Sequence, residues 1–299
     1  MSALTITPHK SFSPARVTAI ASNTFLELVR LKVFYFLLLF ALAGIGASLL
    51  LVSFTFQEQF QVIKDVCLGA MSIFTWLLAV LPTAMLLPKD VEDRTLYTIL
   101  AKPVPRFEYL LGKLLGVLAL LFIATILMSG LFCIVLYVYE QQALSYTVRS
   151  MQALPADQIE AALRDVRNSA FNINLVPGII LIYLKAAFCA SLTLLISTFS
   201  SSWIFTVIVS AVIYFIGNIQ WIAREAWENQ VVNPSPIATL FLSAVSIFFP
   251  DLHIFTIVDD VVAGNAVPLI PFLKASALGI CYTSFYLAVA YLMFAWKEL

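Results

Sequence analysis

The charged residues of this chain are few and placed where they could transmit force rather than break bonds. Only 11% of the 299 residues are charged, yet Lys89, Asp90, Glu92, Asp93, Arg94, Lys102 and Arg106 crowd between two long apolar runs. Within the runs themselves the one deep ionisable cation is Lys185. A catalytic constellation does not assemble from the remainder. His9 and His253 are far apart, HExxH is absent, and Cys67, Cys133, Cys189 and Cys281 form no CxxC pair, so neither a metal site nor a disulfide framework is expected. No GxxxxGK[ST] loop occurs among the ten glycines, so no ATP-hydrolysing site is expected in this sequence. The chemistry left to these residues is electrostatic: docking, positioning, and a charge held at membrane depth.

The elements that must position them are apolar helices. Hydrophobic residues make up 62% of the chain and mean hydropathy is +0.97, with several runs above the roughly 18–20 residues needed to cross a bilayer. Lipid offers no partners to free backbone amides, so the spans must be helical. The sequence predicts an all-α polytopic membrane protein with six transmembrane helices, at Val33–Thr55, Cys67–Leu87, Leu110–Tyr139, Leu175–Phe199, Trp203–Ile222 and Ala275–Trp296. With the N-terminus inside, ten Lys and Arg face the cytoplasm and six lie outside, the direction of the positive-inside rule. Both termini are then cytoplasmic. A polar lead with Pro8 and Pro14 precedes the first span, so no cleavable signal is expected. Trp203, Trp221, Trp227 and Trp296 fall near the expected interfaces.

Residues 1–299 read as a single membrane domain without repeats. Within 15–31, Val17, Ile20, Ala21, Thr24, Leu28 and Leu31 form a stripe with Asn23, Glu27 and Arg30 elsewhere on the wheel. This predicts a helix on the cytoplasmic leaflet, the alternative being an extension of the first span. The external loop 140–174 should hold a short helix after Pro155, with Ile159, Leu163 and Val166 on one face and Glu160 four residues before Arg164. It serves either as a cap over the bundle or to recognise something outside. Between 223 and 273, Pro234, Pro236, Pro250, Pro268 and Pro271 break the apolar pieces into lengths too short to cross singly. External re-entrant helices before the last span are expected there; two further spans over 237–262 are the alternative.

The cytoplasmic segment 89–106 is expected to start a short helix with Asp90, Glu92 and Asp93, carry a Leu96, Ile99 and Leu100 stripe, and stop at Pro103 and Pro105. Glu92-Asp93-Arg94-Thr95-Leu96, then Leu100-Ala101-Lys102-Pro103-Val104-Pro105-Arg106 and Leu111-Gly112-Lys113, resembles the first cytoplasmic loop of ABC-2 type transporter permeases. Phe249-Pro250-Asp251-Leu252, Phe255 and Asp259-Asp260-Val261-Val262 are similar, more loosely, to the branch annotated for multicopper-enzyme maturation. The resemblance implies a permease subunit in the bacterial cytoplasmic (inner) membrane, working outward as an exporter. It implies coupling of this loop to a separate ABC ATPase subunit that binds the ATP, and a transport path built with a second permease subunit, as a homo- or heterodimer. Coupling would fall to Glu92, Thr95, Leu96, Ile99, Leu100, Pro103 and Arg106. The resemblance implies no cofactor in this chain and no nucleic-acid partner, and leaves the substrate open.

Two other readings stay open: an ATP-independent channel or facilitator, and a scaffold for assembling other membrane proteins. A plain cytoplasmic hairpin also accounts for the charges of 89–106. Lys185 lies either on a transport path or against a carbonyl or hydroxyl as a structural contact.

Overall fold

The structure, a computed structural model, describes residues 12–51, 59–92, 105–150, 155–170, 175–230, 252–255 and 269–296. All regular structure in them is helical: α1 (Pro14–Arg30), α2 (Lys32–Leu51), α3 (Gln59–Glu92), α4 (Arg106–Ser150), α5 (Ala156–Ala170), α6 (Leu175–Phe199), α7 (Trp203–Gln230), a 3-10 turn (Leu252–Phe255) and α8 (Leu269–Trp296). Five of these helices are long and apolar enough to cross a bilayer, and α1 with α2, bent by 68° at Leu31, makes a sixth if the pair is one span. At about 1.5 Å per residue, α2 alone is roughly 30 Å long.

α6 is the centre of the bundle. It packs on α3, α8, α4 and α7, and its stretch Ala186 to Ser191 is buried throughout. Small side chains there, Ala186, Ala187, Cys189, Ala190 and Ser191, let neighbouring backbones approach where lipid gives no hydrophobic drive to helix association. α2 lies against α3 and α4, while α7 touches α6 and α3 and leaves much of its surface apolar and open. Phe205, Ile208, Val212, Phe215 and Ile219 are exposed on it, as suits a face toward lipid.

Several boundaries differ from those expected. α3 continues through Pro82 and Pro88 to Glu92 instead of ending at Leu87; such prolines are tolerated in membrane helices because neighbours satisfy the freed carbonyls. Asp90 and Glu92 therefore lie in α3, and the rest of the expected short helix falls outside the described residues. α4 runs 45 residues, so 140–150 is helix and not loop, and α5 packs against it. The helix after Pro155 is as expected, with the Pro155 carbonyl accepting from Gln158 and Ile159 and Arg164 meeting Glu160 at 3.5 Å. α8 starts at Leu269, so Lys274 belongs to it. Of the region 223–273, α7 occupies the first residues and the 3-10 turn is described. Its Leu252 and Phe255 are buried, Phe255 rests against Gly279 of α8, and His253 stacks on Trp221 with ring centroids 4.4 Å apart. The expected re-entrant helices otherwise lie outside the described residues.

Candidate functional site

Charged residues of α1, α3 and α4 gather into a collar around the first turns of α4. α1 lies along α4, burying Val17, Thr24 and Leu28. Gly112 and Gly116 make that approach possible. A Cβ on Gly112 would stand 2.7 Å from the Ile20 side chain, and one on Gly116 2.7 Å from Thr24 Cβ and 2.8 Å from the Ala21 carbonyl oxygen. This GxxxG spacing carries the crossing.

With α1 so close, the charges interlock. The Glu108 carboxylate, 1% exposed, accepts from Arg16 Nε at 2.7 Å and Nη2 at 2.8 Å, and from the Ser13 backbone N–H at 3.0 Å. This two-pronged hydrogen bond raises the Arg16 pKa further above its ordinary value, so the guanidinium stays charged. One helical turn along, Lys113 Nζ meets Asp90 at 2.7 Å and Glu27 at 3.5 Å, and Lys89 reaches the other oxygen of Glu27 at 3.2 Å. The Tyr109 hydroxyl donates to Asp90. Lys113 and Asp90 are both almost wholly buried. Burial of an ion pair costs desolvation on both sides, and here the Tyr109 hydroxyl and the Glu27 carboxylate add hydrogen bonds to the charge attraction.

The collar also reaches α8. Arg106 Nη1 donates to the carbonyls of Phe294 at 3.1 Å and Ala295 at 2.8 Å, with its guanidinium 5.9 Å from the Phe294 ring centroid. Phe294 stacks in turn on Tyr109. A cation at the last carbonyls of a helix satisfies groups left without intrahelical donors and suits the negative end of the dipole.

Of the coupling residues expected from sequence, Glu92 is exposed at the end of α3 and Arg106 joins the collar. Thr95, Leu96, Ile99, Leu100 and Pro103 lie outside the described residues. Lys185 sits apart, on α6: its Nζ donates to Asn218 Oδ1 of α7 at 2.9 Å and lies 5.3 Å from the Tyr214 ring centroid. Tyr214 is stacked on Trp76 of α3. Lys185 thus joins α6 to α7, meeting the carbonyl oxygen of an amide side chain and the face of a ring that is itself stacked on α3. All four cysteines are free, and no cluster of metal-ligating side chains occurs among the described residues.

Glu27, Arg16, Glu108, Tyr109 and Lys113 were not singled out from the sequence as a site. Glu27 was placed off the buried stripe of α1, yet it falls between Thr24 and Leu28 on the same face, and that spacing was the signal. The Gly112–Gly116 pair was the other. No family model matches this sequence, and no curated protein matches it.

Proposed function

We propose that this chain is the permease subunit of an ATP-driven transporter of the ABC-2 type, an exporter of six spans with both ends in the cytoplasm of a bacterial inner membrane. ATP binding and hydrolysis take place on a separate ATPase subunit, and a second permease copy completes the transport path. The observation that supports this reading best is the collar. The segment between Glu92 and Arg106, which carries the family-like motif, leaves α3 beside Asp90 and joins α4 at Arg106. Asp90 is locked to α4 and, through Lys113 and Glu27, to α1; Arg106 is locked to the end of α8. A push on the segment is therefore delivered to four helices at once, which is what a lever between an ATPase and a bundle requires. Nucleotide-driven closure of the partner would then bias inward- against outward-facing states.

Leu96→Glu places a charge in the apolar stripe that the partner is expected to cover. Co-purification of the proposed ATPase subunit should fall by tenfold or more, on the order of 1.4 kcal/mol or greater, while the bundle keeps its melting profile. Undiminished co-purification would remove the basis for the reading and favour the channel or scaffold alternatives, which need no ATPase.

A further inference from the structure

The elbow between α1 and α2 carries cations that the collar does not use. α1 ends at Arg30 and α2 begins at Lys32, with the single residue Leu31 in extended conformation between them and a bend of 68°. Arg16, Lys89 and Lys113 turn inward to carboxylates, whereas Arg30 and Lys32 are both exposed. Around them the surface is greasy. Leu26, one turn before Arg30, is 49% exposed, and Tyr35 and Phe36, one turn after Lys32, are 56% and 61% exposed. From Val33 onward α2 is apolar without interruption as far as Ala47.

That order, an amphipathic helix, two outward cations at a corner, then aromatics opening a span, fixes the depth of the corner. The cations stand at the headgroup level and the rings just beneath, among the upper acyl carbons. We infer that the α1–α2 elbow is a binding site for anionic phospholipid, with Arg30 and Lys32 taking the phosphate and Leu26, Tyr35 and Phe36 lying along the chains. The inference rests on the inward placement of this corner given under Proposed function. Charge complementarity selects the occupant: an anionic headgroup answers two adjacent cations, and a bilayer is the only apolar phase that the neighbouring rings can enter at the same time. Occupancy would brace the bend and so hold α1 against α4, on the side where the collar is built.

The test uses the full-length chain in nanodiscs of phosphatidylcholine mixed with phosphatidylglycerol, with retained lipid counted by native mass spectrometry. In R30Q/K32Q, phosphatidylglycerol retention should weaken roughly tenfold or more, from the loss of two basic residues at an anionic surface. R30K/K32R should retain it. A charge-matched control, R164Q/K274Q, removes two exposed cations from outside the elbow and should leave retention unchanged. Equal loss in the control, or no loss in R30Q/K32Q, overturns the site. Because lipid retention needs no ATPase, the result stands independently of the Leu96→Glu experiment.

Discussion

Lys113 holds two carboxylates with one ammonium, Asp90 at 2.7 Å and Glu27 at 3.5 Å, in a setting where its side chain is 4% exposed. Lys113→Met takes the ammonium away from the buried Asp90 carboxylate and keeps the neutral Tyr109 hydroxyl that donates to it. The cost should be about 3–5 kcal/mol, typical of breaking one half of a buried pair, and visible as a lower melting temperature in detergent. The double variant Lys113→Met with Asp90→Leu should recover much of it, since an apolar pair of similar size avoids the desolvation altogether. No recovery would mean that Glu27, and not Asp90, is the partner that matters. Lys185 belongs to the same class of residue but solves its problem differently, by an amide oxygen and an aromatic face; the spacing of polar residues on α7 did not announce Asn218 as its neighbour.

At the scale of elements, the α1–α4 crossing depends on two missing side chains. Gly116→Val must push Thr24 and the Ala21 carbonyl aside, at roughly 1–3 kcal/mol for overpacking. A cysteine pair linking α1 to α4 should then cross-link several-fold more slowly than it does with Gly116 in place. Unchanged cross-linking would show that α1 is held by its ion pairs alone. The apolar span α6 and the start of α7 were legible in sequence to the residue, because length and hydropathy suffice where lipid forbids irregular backbone, whereas α7 runs on past the expected Ile222 to Gln230. The ends of α3, α4 and α8 were not, because polar residues such as Asp90, Tyr146 and Lys274 can continue a helix beyond the apolar layer, and nothing in hydropathy marks where they stop. The collar was hidden for a related reason. Its members are spread over α1, α3 and α4, and only Gly112 and Gly116 advertised that two of those helices meet.

For the molecule as a whole, the proposed orientation assigns the two ends of the bundle to different compartments. A cysteine replacing Ala161, exposed on α5, should react with a membrane-impermeant maleimide added to intact cells, while one replacing Thr18 on α1 should react only after the membrane is opened. The reverse pattern would turn the collar outward and exclude an intracellular ATPase as its partner. The same bundle has an order of manufacture. Arg106 emerges from the ribosome long before its two carbonyl acceptors, which lie 188 and 189 residues further along. Until α8 has been made, the first turn of α4 lacks the two carbonyl acceptors that Arg106 meets on that helix. The joint between the start of α4 and the end of α8 is thus a late closure, one that a half-made chain cannot form.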